Sequence, residues 1–168
     1  MTSIFPGHHR ASRHTATDAT VAVRARRRLP TGCRILVVDD NEDAADLLAM
    51  MLERLGHTTR VAHDANEALE IVDAFASDLA ILDIGLPVMD GYELARRLRE
   101  RPATSAMKLL ALTGYAQASD RDRATAAGFD AHLVKPISID GIEAIIETLL
   151  FPSDPTPSTP PGNDVEID

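Results

Sequence analysis

Short aliphatic runs alternate five times with helix-period segments between residues 34 and 150, and this alternation limits the possible folds more than any other feature. The runs predict strands at Arg34–Val38, Thr58–Ala62, Leu79–Leu82, Lys108–Leu112 and Ala131–Val134. The third and fourth runs are continuously apolar, as expected for strands covered on both faces. The sequence therefore predicts an α/β fold in which helices flank a parallel sheet.

Residues typical of helix starts and helix ends lie between the predicted strands. Gly56 ends the first predicted helix, Asp64 and Glu67 form a capping box at the second, the third runs from about Asp90 to Arg101, and the fourth spans about Ser119–Ala127. The fifth follows Ser138. Three inward apolar sets are predicted: Ala44, Leu47, Leu48, Met51, Leu52 and Leu55 in helix one; Ala68, Leu69, Ile71 and Val72 in helix two; Ile139, Ile142, Ile145, Ile146 and Leu149 in helix five. Met50, Met51, Met89 and Met107 are interpreted as ordinary packing residues.

Composition divides the chain into three parts. Residues 1–31 carry a formal charge of +5, residues 32–151 carry -10, and residues 152–168 carry -4. We expect the first part to be a disordered basic tail and the last, which is rich in proline, a disordered acidic tail. The middle part is long enough for one domain.

Charge and hydropathy also exclude classes of partner. An acidic body repels nucleic acid. The basic tail could contact nucleic acid or an acidic partner through Arg24, Arg26, Arg27 and Arg28, but DNA binding is disfavoured because these charges are few and no folded domain holds them. No apolar run reaches the roughly 18 residues of a membrane span, and one cysteine cannot form an internal disulfide. We predict a cytoplasmic protein without nucleic-acid or membrane partners.

Polar residues follow four of the five strands. Asp39 and Asp40 follow the first, Asp83 the third, Thr113 the fourth, and Lys135 with Pro136 the fifth. In an open parallel α/β sheet, ligands bind beyond the carboxyl ends of the strands, so these groups should converge.

The predicted cluster has a definite chemistry. Carboxylates ~5 Å apart repel by about 3 kcal/mol at an effective dielectric of ~20, so a cation is needed between them. An all-oxygen ligand set suits Mg²⁺, and the Lys135 ammonium would offset further charge. Such a site could hold a phosphoryl group over Asp83, a carboxylate able to become an aspartyl phosphate.

Four strings resemble one known family. Ile35–Asn41 (ILVVDDN), Leu82–Gly91 (LDIGLPVMDG), Ala111–Gly114 (ALTG) and Leu133–Pro136 (LVKP) are similar to the receiver domain of bacterial response regulators, in its order and spacing. The resemblance covers about residues 33–150. It implies a flavodoxin-like, doubly wound sheet of order 2-1-3-4-5 with five helices.

The resemblance also implies roles for single residues. Asp39, Asp40, Asp83 and the Gly85 carbonyl would hold Mg²⁺, with Asp83 as phosphoacceptor. Thr113 and Lys135 would contact the phosphoryl oxygens, and a cis peptide would precede Pro136. The switch position, three residues before the lysine, is usually Tyr or Phe in the family but here is His132, whose imidazole is smaller and ionisable.

A phosphohistidine on a sensor histidine kinase or a histidine phosphotransfer protein would be the phosphoryl donor. Output through the face formed by helix four, strand five and helix five, including a possible homodimer, is expected. The protein would be a regulatory phosphoacceptor rather than an enzyme, limited to phosphotransfer onto its own Asp83 and autodephosphorylation.

Structural explanations exist for each residue taken singly. Asp40 or Asn41 could cap helix one, and Thr113 could be a routine strand-end residue. Two other functions stay open: an aspartate-based small-molecule phosphatase, whose family places a second acid where this chain has Gly85, and a phosphate-independent module with the same fold.

Overall fold

The computed structural model describes residues 32–114 and 118–152, so both predicted tails, apart from Pro152, lie outside the described residues. Ten elements alternate along the chain. In order they are β1 Arg34–Val38, α1 Glu42–Arg54, β2 Thr58–Ala62, α2 Ala65–Ala74, β3 Leu79–Asp83, α3 Gly91–Glu100, β4 Lys108–Thr113, α4 Ala118–Ala127, β5 Ala131–Val134 and α5 Ile139–Leu150.

The five strands form one parallel sheet of order β2-β1-β3-β4-β5, which confirms the predicted fold class and strand order. The chain leaves β1 toward one edge and returns to place β3 on the other side of β1. This reversal makes the β1–β3 boundary a topological switch point, where crevices open at the carboxyl ends of strands.

Two apolar layers cover the sheet because successive strand residues point to opposite faces. Leu36 and Val38 of β1 pack with α2, α3 and α4, whereas Ile35 and Val37 pack with α1 and α5. All five residues of β3 are buried, as expected for a central strand.

Strands β3 and β4 each extend one residue beyond the prediction. Asp83 pairs with Leu112, and Thr113 pairs with Val134, so both polar residues lie inside the ladder rather than after it. The ladder hydrogen bonds therefore fix the backbone of two site residues directly.

The apolar stripe predicted for α1 is confirmed at Leu48 and Leu52, and Leu55 packs against the same core, but the prediction is wrong at Ala44 and Leu47. The buried residues are Ala45, Leu48, Ala49 and Leu52, while Ala44 is exposed and Leu47 is 59% exposed. Two small alanines face the sheet because they allow the helix to approach it closely. Met50 is 56% exposed, so its interpretation as a packing residue is also wrong.

The other apolar sets differ less from the prediction. Ala68, Leu69 and Val72 of α2 are buried, as predicted. In α5, Ile142 and Ile146 are buried, but Ile139 is 50% exposed because it is the first helical residue after the Ser138 cap. Asp64 and Asp90 cap α2 and α3, and Gly56 and Gly128 adopt positive φ directly after α1 and α4.

Arg99 fastens the amino-terminal end of the sheet. Its guanidinium donates to the carbonyls of Gly128 (2.9 Å), Ser105 (2.9 Å) and Met107 (2.5 Å) and to Asp130 Oδ2 (2.7 Å). Two chain segments, residues 105–107 before β4 and residues 128–130 before β5, are thereby tied to the end of α3, and we call this set of hydrogen bonds the Arg99 clamp. Gly128 leaves room for this contact, since a Cβ there would lie 2.7 Å from Arg99 Cγ.

We expect Arg99→Ala to lower the free energy of unfolding by about 2–3 kcal/mol, because it removes several charge-assisted hydrogen bonds at once. Arg97→Ala is the matched control: among the described residues Arg97 pairs with Glu93 on the same helix, and such a solvent-screened pair should contribute far less to the free energy of unfolding than the Arg99 contacts. Urea denaturation with unchanged m-values measures both. Equal decreases in the free energy of unfolding in the two variants would contradict the stabilising role of the Arg99 clamp.

His57 is a buried histidine between α1 and β2. It is 5% exposed, and neither ring nitrogen has a hydrogen-bond partner among the described residues. Burial lowers the pKa of His57, and the smaller opposing influence is the Glu143 carboxylate, which raises it. The folded state therefore favours the neutral imidazole.

This predicts acid sensitivity. Below the unfolded-state pKa of about 6.5 and down to the lowered folded pKa, the unfolded chain binds a proton that the folded chain does not, so stability falls as pH decreases through that window. His57→Leu should flatten the stability curve between about pH 7 and pH 5 relative to the wild type. Parallel urea-midpoint curves for the two proteins would show that His57 does not contribute.

Candidate functional site

Asp39 and Asp40 stand at the carboxyl end of β1. The Asp39 N–H continues the ladder by donating to the Ala62 carbonyl at 3.2 Å, and Asp39 Oδ1 accepts from the Asn41 N–H at 3.0 Å. Asn41 is the N-cap of α1, accepting from the Ala44 N–H at 3.1 Å, so Asp40 is not the cap. Asp39 is 3% exposed, whereas Asp40 is exposed.

Lys135 connects the two buried carboxylates across the sheet. Its Nζ lies 2.7 Å from Asp39 Oδ2 and 3.0 Å from Asp83 Oδ1, and Asp83 is 8% exposed. Lys135 lies just after edge strand β5, with β4 and β3 between that strand and β1. The Lys135 ammonium therefore reaches the switch point, and its ion pair with Asp39 joins residues 96 positions apart in the sequence.

The two carboxylates keep Lys135 charged. Burial alone would lower the pKa of Lys135, but hydrogen bonds and attraction from Asp39 and Asp83 outweigh it and raise the pKa above its ordinary value. The ammonium is consequently a permanent cation at neutral pH.

One lysine does not neutralise the cluster. Asp39, Asp40 and Asp83 each offer a carboxylate oxygen, and these atoms lie within 4.8 Å of one another. With Lys135 the group carries a formal charge of -2. An all-oxygen set this close together and still negative is the kind of donor set that Mg²⁺ prefers, so Asp39, Asp40 and Asp83 could hold one divalent ion.

The loop between β3 and α3 packs against the carboxyl end of β3, beside Asp83. The Gly91 N–H donates to the Ile84 carbonyl at 3.1 Å, which folds the loop back onto the end of β3. A Cβ on Gly91 would lie 2.4 Å from the Asp83 carbonyl oxygen, so this approach requires glycine. Val88, at φ 65° and fully exposed, holds a strained turn at the loop tip.

Gly85 in the same loop lies against the acceptor carboxylate. A Cβ there would lie 3.1 Å from Asp83 Oδ2, closer than most side chains tolerate. The glycine leaves one oxygen of Asp83 uncrowded while Lys135 holds the other.

Thr113 and His132 lie on neighbouring strands. Thr113 is buried at the end of β4, and the Lys135 N–H donates to its carbonyl at 2.8 Å. His132 is half-buried on β5 and pairs with Ala111. The peptide bond between Lys135 and Pro136 is cis. The structure thus brings Asp39, Asp40, Asp83, Gly85, Thr113 and Lys135 to one edge, with His132 two positions back along β5.

Comparison with known proteins identifies the family. A protein-family model described as the response regulator receiver domain matches residues 35–147 of the chain. The chain belongs to this family. Acting as a phosphoacceptor in two-component systems is the family's general function, and a receiver domain is a regulatory module rather than an ordinary enzyme.

Relatives occur both as small proteins and inside larger ones. An uncharacterized 14.6 kDa protein of Leptolyngbya boryana is 40% identical over 122 residues, covering 71% of this chain and 93% of that protein. The sensor protein EvgS of Escherichia coli is 35% identical over 133 residues, covering 78% of this chain but 11% of EvgS. The receiver fold is therefore shared with proteins of very different size.

A solved relative carries a metal. The receiver domain of the sensor histidine kinase PA1611 from Pseudomonas aeruginosa is 28% identical, with a TM-score of 0.66, covering 71% of this chain and 98% of that one. It has a magnesium ion coordinated in its active-site cleft. Binding Mg²⁺ in the acidic cleft is a general property of receiver domains.

Sequence reasoning missed three contacts of this receiver domain. The Asn41 N–H donates to Asp39 and orients its carboxylate, and the backbone at Gly91 packs directly against the backbone of Asp83 and Ile84. His63 Nδ1 lies 3.4 Å from the Asp39 carbonyl oxygen. The Asp90-Gly91 pair was a usable signal, because a glycine directly after a helix cap needs a reason. His63 carried no signal, since its position depends on the pairing of β2 with β1.

We expect Gly91→Ala to destabilise the receiver domain by about 1–3 kcal/mol, because the new Cβ overlaps the backbone of Asp83 and Ile84. Gly114→Ala is the control, since nothing lies within 4 Å of a Cβ there and its φ is not positive. Chemical denaturation measures both variants. A neutral Gly91→Ala would show that the loop can move without disturbing β3.

Proposed function

We propose that Asp83 accepts a phosphoryl group from the phosphohistidine of a sensor histidine kinase or a histidine phosphotransfer protein, with Mg²⁺ bound beside it. The observation that carries the proposal is the Lys135 ammonium, which bridges Asp39 and Asp83 next to a third carboxylate, Asp40. An acidic cluster with two buried carboxylates and a fixed cation on one side suits an incoming anion that needs charge neutralisation.

The proposed step is a displacement at phosphorus. A carboxylate oxygen of Asp83 forms the new O–P bond as the P–N bond of the phosphohistidine breaks, and the departing imidazole keeps the bonding pair and takes up a proton. Lys135 and the Thr113 hydroxyl would contact the equatorial oxygens, where the transition state spreads its charge. Water would later hydrolyse the acyl phosphate in autodephosphorylation.

The metal ligands in this proposal are Asp39, Asp40, Asp83 and the carbonyl of Gly85. Bound Mg²⁺ would supply charge neutralisation for the phosphoryl oxygens and would keep several waters. The fit rests on the all-oxygen donor set, its spacing within 4.8 Å and its residual charge of -2.

Output would pass through the face formed by α4, β5 and α5. Thr113 ends β4 directly beside β5, and His132 on β5 would change its packing when the threonine moves. Val134 on the same edge strand is 36% exposed and offers an apolar contact for a partner or a second copy.

We also propose that the protein acts in the cytoplasm and without nucleic acid. Within residues 32–114 and 118–152, no helix is both long and apolar enough to cross a bilayer.

Asp83→Asn tests the acceptor. Incubated with Mg²⁺ and a small phosphodonor such as phosphoramidate, the wild type should gain one acid-stable, hydroxylamine-sensitive phosphoryl group, and Asp83→Asn should gain none. Asp122→Asn, an exposed residue of α4, is the control and should label like the wild type.

Two results would overturn this proposal. Labelling that persists in Asp83→Asn would place the acceptor elsewhere, and an unlabelled wild type would favour the phosphate-independent module. Turnover of phosphate esters by the wild type would favour the small-molecule phosphatase, although Gly85 stands where such enzymes have their second acid.

Lys135→Met separates metal binding from phosphorylation. Removing the ammonium from Asp39 and Asp83 should tighten Mg²⁺ binding about tenfold or more, since a unit charge ~4 Å from a divalent ion opposes it by about 2 kcal/mol even at the dielectric of water. Phosphoryl labelling should nevertheless fall. Titration calorimetry measures the affinity, with Lys108→Met, the other lysine of the chain, as control. Weaker Mg²⁺ binding by Lys135→Met would contradict the assignment.

A further inference from the structure

The outer face of α1 is apolar at its centre. Leu47 and Met50 are more than half exposed, which is unusual for large aliphatic side chains that lie next to each other on a helix. Beside them a groove of about 410 Å³ opens between α1 and edge strand β2. Its lining residues are Asp46, Ala49, Met50, Glu53, Thr59, Arg60 and Val61.

Two carboxylates and one guanidinium line the groove, which leaves a formal charge of -1. Asp46 and Glu53 are seven residues apart, so both lie on one side of α1 at the groove wall, about 10 Å from each other. Asp46 is exposed, and Glu53 accepts one hydrogen bond, from Thr59 Oγ1 at 2.7 Å. The Arg60 guanidinium lies 5.3 Å from the centre of the Phe75 ring and donates to the Thr59 carbonyl, so it pairs with neither carboxylate.

The chain enters the domain next to this face. The Gly32 N–H donates to the Gly56 carbonyl at 2.9 Å, which places the start of the described chain at the carboxyl end of α1. Residues 24–28 precede Gly32 by four to eight positions, which corresponds to a reach of at most about 14–28 Å. Glu53 and Asp46, three and ten residues before Gly56, lie within that reach.

We propose that residues 21–29 of this chain bind along the groove between α1 and β2, as an intramolecular cover for the α1 face. The arginines at 24, 26, 27 and 28 pair with Asp46 and Glu53, and Val21, Val23 and Leu29 cover Leu47 and Met50. The cover adjoins the phosphoacceptor site, because α1 begins directly after Asp40 and Asn41.

Charge complementarity and connectivity favour this occupant. Residues 1–31 carry +5 and the body carries -10, so the contact is attractive at low salt. A tethered segment also acts at an effective concentration in the millimolar range, so a weak interaction suffices to hold it. This inference concerns the α1 surface and holds whether or not Asp83 is phosphorylated.

Amide NMR spectra of the 168-residue chain test whether residues 21–29 cover the α1 face. In a variant with the four arginines changed to glutamine (R24Q, R26Q, R27Q and R28Q), signals from residues 43–54 and 58–61 should shift, while those of α2 and α3 stay in place. Arg10 and Arg13, changed together to glutamine, are the matched control and should shift neither group. In about 1 M salt, where the Debye length is ~3 Å, wild-type and quadruple-variant spectra should coincide in α1.

The reciprocal variant acts on the other side of the contact. Asp46→Lys should move the signals of residues 24–28, whereas Glu70→Lys, an exposed acid on α2, should leave them unchanged. Unchanged α1 signals in the quadruple variant would overturn the proposal. So would shifts confined to the acidic residues 154–168, which would mean that the arginines pair with the other end of the chain, or shifts that vary with protein concentration, which would mean contact with a second copy.

Discussion

The contact of Lys135 with two buried aspartates is the constraint on which the rest of this receiver domain depends. Asp39 and Asp83 belong to adjacent strands and would repel each other if no cation stood between them. The ammonium makes their burial tolerable, and it comes from the far edge of the sheet. The site is therefore complete only when β1, β3, β4 and β5 are all in register, so its geometry depends on most of the sheet.

The apolar sheet holds this charged rim in place. The fully buried runs of β1 and β3 provide the rigid floor from which the aspartates project, and the ladder extends through Asp83 and Thr113. Polar groups fixed by strand hydrogen bonds lose little entropy when they bind an ion or an anion. The connection from β3 to α3 and the first residue of α3 supply the positions that need space, Gly85 and Gly91, where a side chain would strike the acceptor residue.

Much of this arrangement was predictable from the sequence, and the failures have physical causes. Strand positions, helix caps and converging strand ends followed from local patterns, and the strand order followed from family resemblance. The inward face of α1 was predicted only in part: Leu48 and Leu52 are buried as expected, but the alanines at 45 and 49 fit either side of a helix and gave no signal, and Leu47 was wrongly placed inside. The Arg99 clamp was invisible because its partners are backbone carbonyls distant in sequence, which leave no trace in residue identity.

The clamp and the site stand at opposite ends of the same sheet. Arg99 binds the carbonyl of Gly128, directly after α4, so the last turn of that helix is tied to α3 and to the start of β4. The described half of α4 also contacts α3 through Arg123, whose guanidinium lies 4.5 Å from the centre of the Tyr92 ring. The carboxyl end of α4 is therefore held against α3 at the end of the sheet opposite the phosphoacceptor site, so the Arg99 clamp supports the fold without occupying the rim where Asp83 and Lys135 meet.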